Sequence, residues 1–215
     1  MINTAIFDMD GTLLDTEVIW HEAWKLVNQK MSLGLSDQTL KSFIGMPKQT
    51  FDRLIPALFP SDCDWEMLRR IRLAYYKEYC ETKGILVKPG VEHLLLYLKQ
   101  RGYFLAVCTS TFESQSIPLL KNSGLYDYFD LIVSGDGIIY GKPNPEIYLK
   151  TLALLEKKPS ECIAFEDSSF GVMSASQAGI KTFFIKDINE PTPQAQRYMF
   201  KRLQRIDEVI GELGG

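Results

Sequence analysis

From residue 89 to residue 185, short apolar segments alternate with longer amphipathic ones. Each short segment has the length and apolar content of a buried strand, and Gly or Pro residues punctuate the boundaries between segments. Strands that alternate with helices along a chain form a parallel sheet that helices cover on both faces. The sequence therefore predicts a doubly wound, Rossmann-like α/β fold, with strands at residues 104–109, 130–134, 162–166 and 182–185.

A further strand is predicted at residues 4–8, but the residues that follow it have a helical pattern. Apolar side chains recur there at a spacing near 3.6 residues, and Thr16 and Asp64 are suited to cap helices. One buried strand cannot support a block of helices by itself, so we assign it to the later sheet. The prediction is a core domain of residues 1–15 and 87–215 with an inserted, hinged all-helical cap domain of residues 16–86.

Composition and charge exclude several classes of protein. Lys and Arg number 24 against 27 Asp and Glu, which gives a net charge of −3 and no overall basic field. We therefore expect no nucleic-acid partner and no binding to an anionic membrane surface. No apolar run approaches the ~18 residues of a membrane span, and the N-terminus lacks a signal-peptide pattern. The expectation is a cytoplasmic monomer.

Polar side chains follow the predicted strands at the points where the strands end. Parallel strands place their carboxyl ends at one edge of the sheet, and ligands of such sheets bind beyond that edge. The residues there are carboxylates, hydroxyls and one lysine: Asp8, Asp10, Thr109, Ser110, Lys142, Glu166 and Asp167. Because such groups are costly to bury alone, they are expected to be partners of one another or of a metal ion.

These residue types suit phosphoryl transfer. Clustered carboxylates, with backbone and water oxygens, make the hard-oxygen site that Mg²⁺ prefers. When the metal and Lys142 offset negative charge, Asp8 can attack phosphorus and form an aspartyl-phosphate. Asp10 can then protonate the leaving oxygen and deprotonate the attacking water. Further contacts with the phosphate are predicted for Gly11, which permits close backbone approach, and for the hydroxyls of Thr109 and Ser110.

Four segments of the chain resemble, in order, the four motifs of the haloacid dehalogenase (HAD) superfamily. They are DMDGT at 8–12, the hydrophobic run into Thr109, GKPNPEIY at 141–148 and AFEDSSFG at 164–171. The resemblance spans the whole core, and residues 16–86 match the helical cap of the family. It implies Asp8 as nucleophile, Asp10 as acid and base, and Thr109 and Lys142 as phosphate binders. It also implies Mg²⁺ held by Asp8, the Asp10 carbonyl and Asp167, with Glu166 bound directly or in the next shell.

Two branches of the superfamily are similar to this chain, beta-phosphoglucomutase and the small sugar-phosphate phosphatases. The family's dehalogenases lack the second carboxylate of the first motif, so Asp10 argues against that branch. The sequence GMPK at 45–48 resembles the mutase loop that holds the distal phosphate of the substrate. This likeness implies that Gly45 and Lys48 contact the substrate.

Two departures separate the chain from the mutase. Trp20 stands where the mutase has the histidine that moves a hydroxyl proton, and His21 is one residue away, rotated by about 100° on a helix. Phe112-Glu113 replaces a Lys-Asn pair, and a glutamate there would repel a second phosphate. We therefore interpret the chain as an Mg²⁺-dependent phosphatase of a small phosphorylated metabolite, a sugar phosphate, with Trp20 in the substrate site. A hexose phosphate mutase is the alternative.

Purely structural roles stay open for some of these residues. Thr109 and Ser110 can cap the helix that follows them, and Lys142 can be an exposed loop lysine. A tryptophan such as Trp20 more often packs between helices than stacks on a sugar, and Lys48 is as consistent with a solvated position as with a substrate contact. A third hypothesis is a binding module that keeps the fold and binds phosphate without turnover.

Overall fold

The computed structural model describes residues 1–46, 51 and 55–213. Its strands form one parallel sheet in the order β3-β2-β1-β4-β5-β6. The strands are β1 Thr4–Phe7, β2 Phe104–Cys108, β3 Leu131–Val133, β4 Cys162–Glu166, β5 Lys181–Ile185 and β6 Lys201–Leu203. The central position of β1 confirms its assignment to the later sheet. The α/β class predicted from the alternation is also confirmed.

Helices cover both faces of the sheet. Alternate residues of β1 point to opposite faces, so Ala5 and Phe7 belong to one buried cluster and Ile6 to another. The helices of this part of the chain are α4 Val91–Gln100, α5 Glu113–Asn122, α6 Glu146–Leu155, α7 Ser169–Gln177 and α8 Ile210–Leu213. In the part of the chain that the structure describes, no helix combines the length and apolarity needed to cross a membrane.

The chain between residues 16 and 86, which we call the helical segment, contains three helices in its described part: α1 Thr16–Lys30, α2 Asp37–Ser42 and α3 Trp65–Lys83. They bury an apolar cluster of their own, which is centred on Trp24, Phe43 and Phe59. Asp64 caps α3 by accepting a hydrogen bond from the Met67 amide at 2.8 Å, as predicted. The division of the chain into two domains stays a prediction.

The two chain segments that enter and leave the helical segment run side by side. Leu14 and Val87 form an antiparallel bridge. The amide of Asp15 donates to the carbonyl of Leu86 at 2.9 Å, and the amide of Lys88 donates to the carbonyl of Leu13 at 2.9 Å. These paired segments connect the helical segment to the sheet at the end of β1.

Three local predictions were wrong. Asp15, not Thr16, precedes the first turn of α1, because Thr16 is itself the first helical residue; its hydroxyl donates to Asp10 at 2.7 Å. Pro145 takes the capping position expected for Asn144, although Asn144 still accepts from the Glu146 amide at 3.0 Å. The strand β6 was not expected, since short helices were predicted in that region. Two of its three residues are charged, which suits the sheet edge it occupies.

Candidate active site

The carboxyl ends of β1, β2 and β4 lie side by side because these strands are neighbours in the sheet. Asp8 follows β1, Thr109 follows β2, and Glu166 is the last residue of β4. From β1 the chain winds outward through β2 and β3 on one side and through β4, β5 and β6 on the other. The loops at this switch point therefore enclose a crevice of the kind in which α/β sheets bind ligands.

Lys142 joins the carboxylates of two different strand ends. Its Nζ donates to Asp8 Oδ1 at 2.5 Å, to Glu166 Oε1 at 2.6 Å and to the carbonyl of Cys108 at 3.2 Å. Burial disfavours the ammonium, but the charges of Asp8 and Glu166 outweigh that effect and raise the pKa of Lys142. Lys142 is therefore a buried cation and not the exposed loop lysine that was an alternative.

Three buried carboxylates meet around this lysine. One oxygen each from Asp8, Glu166 and Asp167 lies within 4.8 Å of the other two. Burial raises the pKa of Asp8 well above its usual value, and Lys142 offsets this only in part. Burial, followed by the charge of Asp8, likewise raises the pKa of Asp167. One ammonium cannot balance three carboxylates, so the cluster favours the uptake of a further cation.

The oxygen atoms of this cluster fit a divalent cation. Glu166 Oε2 is buried and has no hydrogen-bond partner among the described residues. A buried carboxylate oxygen without a donor is unfavourable in an apolar interior, and a hard cation such as Mg²⁺ removes that cost. The expected ligand set of Asp8, Asp10, Glu166 and Asp167 therefore includes three carboxylates that the fold brings together. Asp10 was expected to contribute its carbonyl, and that role stays a prediction.

Hydroxyl groups orient the carboxylate of Asp10. Oδ1 accepts a hydrogen bond from Thr16 at 2.7 Å, and Oδ2 accepts one from Thr111 at 2.7 Å. Thr109 lies at 3.5 Å from the same Oδ2. Thr16 begins the helical segment and Thr111 follows β2, so the Asp10 side chain is held between two parts of the chain. This position suits a group that exchanges protons with a substrate in the crevice.

The loop after β2 lies against the loop after β3. Oγ1 of Thr109 accepts from the Thr111 amide at 3.1 Å, and both Thr109 and Ser110 line the crevice. A Cβ on Gly135 would approach the carbonyl oxygen of Ser110 to 2.3 Å. Gly135 is therefore a glycine because the two loops pack closely. The binding of phosphate oxygens by the hydroxyls of Thr109 and Ser110 stays a prediction.

A cavity of about 670 Å³ lies between the strand ends and the helical segment. Asp8, Asp10, Lys142 and Asp167 line it from the sheet, and Trp20 and Gly45 line it from the helical segment. Trp20 also stacks on Tyr76, with ring centroids 4.2 Å apart, so it serves packing as well. Lys48 lies outside the described residues.

Gly11 was expected to lie close to the bound phosphate, but its nearest neighbour is the side chain of Asp167. Its φ of +80° is a left-handed conformation that favours glycine, and a Cβ there would approach Asp167 Oδ2 to 2.3 Å. Gly11 is not among the described residues that line the cavity. It allows the loop after β1 to approach Asp167, and its contact with substrate stays a prediction.

Three residues near the site were not singled out from the sequence. The hydroxyl of Tyr148 donates to Glu166 Oε1 at 2.5 Å. A Cβ on Gly171 would lie 1.8 Å from Glu166 Oε2, so only glycine leaves room for that carboxylate. Asp187, in the loop after β5, has a buried Oδ2 without a hydrogen-bond partner among the described residues. Tyr148 and Gly171 are the last residues of the third and fourth motif segments, and this position could have identified them from the sequence. No sequence feature pointed to Asp187.

The fold and the strand-end site are those of a class of hydrolases. A comparison with known protein families gives the same class. The sequence model of the haloacid dehalogenase-like hydrolase family matches residues 5–185. The chain belongs to this family, as the four motif segments indicated.

Relatives of known description cover most of the chain. A phosphorylated carbohydrates phosphatase from Thermotoga maritima is 33% identical over 184 residues, which is 85% of this chain and 84% of the relative. A fructose-1-phosphate phosphatase from Escherichia coli is 31% identical over 179 residues, 81% of this chain and 92% of the relative. A solved structure from Thermotoga maritima, described as a candidate beta-phosphoglucomutase, has a TM-score of 0.78 and 28% identity, and covers 99% of both chains.

Proposed function

We propose that the chain is a phosphatase that hydrolyses the phosphomonoester of a small metabolite, a sugar phosphate, through a phosphorylated Asp8. The observation that carries the proposal is the position of the Asp8 carboxylate. It lies at the floor of the cavity, 2.5 Å from a buried lysine and within 4.8 Å of two further carboxylates. A nucleophile, a fixed cation and a hard-oxygen site are the parts that phosphoryl transfer requires.

The residues of the site have separate roles in this proposal. An oxygen of Asp8 attacks phosphorus, and the bond to the leaving oxygen breaks. Lys142 and the hydroxyls of Thr109 and Ser110 bind the remaining phosphate oxygens and stabilise their charge as the geometry changes. Asp10 protonates the leaving oxygen. In the second half of the reaction, Asp10 removes a proton from water, which attacks the phosphorus and releases Asp8.

Asp8, Asp167 and the Asp10 carbonyl, with Glu166 directly or in the next shell, would hold Mg²⁺. The bound ion would supply positive charge that reduces repulsion between the Asp8 carboxylate and the phosphate. The raised pKa values of Asp8 and Asp167 in the ion-free protein support a requirement for this cation, because both carboxyl groups must be ionised to act as proposed.

The cavity and the relatives support a sugar phosphate as the substrate class. About 670 Å³ lies within the ~300–1,000 Å³ typical of small-molecule sites. The relatives described above are phosphatases of phosphorylated carbohydrates and of fructose 1-phosphate. We propose that the chain acts on such a substrate as a monomer.

A hexose phosphate mutase is the second candidate, because of the likeness to the Thermotoga maritima structure. Two observations weigh against it. His21 Nε2 lies 3.0 Å from Asp37 Oδ1, and His21 is not among the described residues that line the cavity. Glu113 was expected to repel a second phosphate. It too is not among the described residues that line the cavity, so it gives no evidence against a mutase. Formation of glucose 6-phosphate from beta-glucose 1-phosphate, without release of phosphate, would favour the mutase.

Phosphate release from an aryl phosphate tests the proposal. We expect the wild-type protein to release phosphate in Mg²⁺ and to stop when the ion is chelated. Asp8→Asn should lower kcat by at least about 10³-fold, because it removes the covalent route. Asp127→Asn is the matched control, since Asp127 is exposed in the turn Tyr126–Tyr128. Wild-type turnover in Asp8→Asn would contradict the proposal, and binding of phosphate without turnover by the wild type would favour a binding module.

A further inference from the structure

Arg72 lines the cavity from α3, and its guanidinium has no hydrogen-bond or ion-pair partner among the described residues. It lies on the indole of Trp24, 3.9 Å from the ring centroid, and 5.3 Å from that of Trp20. Its Nε is buried, and no hydrogen bond or ion pair joins its nitrogens to any residue that the structure describes. Burial lowers the pKa of Arg72 to about 10, an effect that the charge of Glu17 offsets only in part. Arg72 is nevertheless a cation at neutral pH, and its donors reach no acceptor among the described residues.

Glu17 is the second ionisable group of the helical segment on this cavity wall. It is buried in the first turn of α1 and lines the same cavity as Arg72. The two residues are close enough for their charges to interact, but they form no ion pair. Burial, followed by the charge of Asp10, raises the pKa of Glu17 well above its usual value. Among the described residues, they are the only charged groups that the helical segment contributes to the lining. One donor group and one acceptor group therefore face the space beyond the reacting phosphate.

We propose that Arg72 and Glu17 form the subsite for the leaving group and select an uncharged, hydroxyl-rich one, that of a sugar or polyol monophosphate. This inference rests on the proposed phosphatase function, because the leaving group is defined by the phosphate bound at Asp8. Neither residue belongs to the machinery that acts on phosphorus. Both determine which ester is held there.

The chemistry of the two side chains favours hydroxyl groups over a second anion. Arginine only donates hydrogen bonds, a glutamate carboxyl accepts them in either protonation state, and a hydroxyl does both. Neighbouring hydroxyls on one sugar can therefore accept from Arg72 and donate to Glu17, while carbon atoms of the ring pack on Trp20 in the cavity wall. A second phosphate or a carboxylate would satisfy Arg72 but would bring negative charge close to Asp8 and Asp10, whose charges already raise the pKa of Glu17.

Substrate discrimination tests the subsite. The substrates are an aryl phosphate without hydroxyls, a panel of sugar monophosphates that includes fructose 1-phosphate, and two anionic esters, phosphoglycolate and a hexose bisphosphate. We expect the wild type to prefer a sugar monophosphate. Arg72→Met keeps the packing on Trp24 and removes the donors. It should lower the kcat/KM for the best sugar phosphate, relative to that for the aryl phosphate, by about 10- to 100-fold.

Two further variants sharpen the result. Arg69→Met changes an exposed arginine one turn earlier on α3 and should leave that ratio within about 2-fold of wild type. Glu17→Leu removes the hydrogen-bonding group and leaves an apolar side chain of similar size, so it should lower the kcat/KM for the best sugar phosphate, relative to that for the aryl phosphate, by about 10-fold.

The outcomes separate the two proposals. An unchanged ratio in Arg72→Met, or equal losses with sugar and aryl phosphates, would overturn the leaving-group subsite. A wild-type preference for phosphoglycolate or for the bisphosphate would do the same. If the wild-type protein fails to hydrolyse the aryl phosphate at all, the phosphatase function itself is contradicted.

Discussion

Gly171 occupies a position in α7 where the carboxylate of Glu166 leaves no room for a side chain. Glu166 is fully buried, and Lys142 and Tyr148 both donate to its Oε1. The carboxylate is thus fixed on one side by two donors and on the other by the absence of a Cβ at Gly171. A residue that contacts no substrate in this account therefore determines where a proposed metal ligand lies.

We predict that Gly171→Ala destabilises the protein by about 1–3 kcal/mol, because the added methyl group must displace Glu166 or the helix. The variant should also bind Mg²⁺ more weakly. Urea unfolding with and without Mg²⁺ measures both effects. Gly211→Ala, in α8, is the control, since a Cβ there meets no atom of the described residues within 4 Å. Equal stability of the two variants would show that the Glu166 pocket tolerates a methyl group.

The paired segments at the base of the helical segment are held by an ion-pair network. Lys88 Nζ donates to Asp187 Oδ1 and lies 3.5 Å from Asp15 Oδ1. The side chains of Lys88 and Asp187 are 14% and 5% exposed, so water screens this pair only weakly. The network links the loop after β5 to both chain segments that lead to the helical segment.

Lys88→Met should cost about 3 kcal/mol of unfolding free energy, because it leaves the buried Asp187 carboxylate without its cation. The pair Lys99–Asp130 is more exposed, at 32% and 39%, so Lys99→Met should cost less than about 1 kcal/mol. The double variant Lys88→Met/Asp187→Asn should recover part of the loss. Chemical denaturation of the four proteins measures these differences, and similar losses for Lys88→Met and Lys99→Met would contradict the buried-pair account.

Elements with a strong apolar pattern were predictable from the sequence, and those with a weak one were not. The bounds of β4 match those predicted because CIAFE is buried at every position, whereas β6 consists of Lys201, Arg202 and Leu203 and lacks an apolar run. The strand-end residues around Asp8 were also predictable, since parallel strands end at one edge. The position of Arg72 beside the cavity was not predictable, because it depends on how α3 packs on α1, which no local pattern specifies.

At the scale of the whole molecule, the fold carries a cluster of carboxylates that is unfavourable without a cation. Burial and the charge of Asp8 raise the pKa of Asp167, and no described cation is among the main influences on it. A carboxyl with a raised pKa in the folded state binds protons there that the unfolded chain has released. The stability of the ion-free protein should therefore fall as pH rises from the usual carboxyl range through the raised pKa.

We predict that Asp167→Asn melts at a higher temperature than the wild type at neutral pH when both are ion-free. Mg²⁺ at about 100 times its Kd should add about 2.7 kcal/mol to the wild type, or roughly 5–10 °C in Tm, and less to the variant. Thermal unfolding in chelator and in Mg²⁺ measures both. A wild-type Tm that does not respond to Mg²⁺ would contradict the proposed metal site.

The most direct measurement is a search for a phosphoryl group on Asp8 during turnover. In Asp10→Ala, an aryl phosphate should still phosphorylate Asp8, because its leaving group needs little protonation, while hydrolysis of the intermediate is slowed. Rapid acid quenching, proteolysis and mass spectrometry should then find the peptide that contains Asp8 heavier by one phosphoryl group, with one equivalent of the phenol released. Release of the phenol with no phosphoryl group on Asp8, or with the group on another residue, would contradict the account.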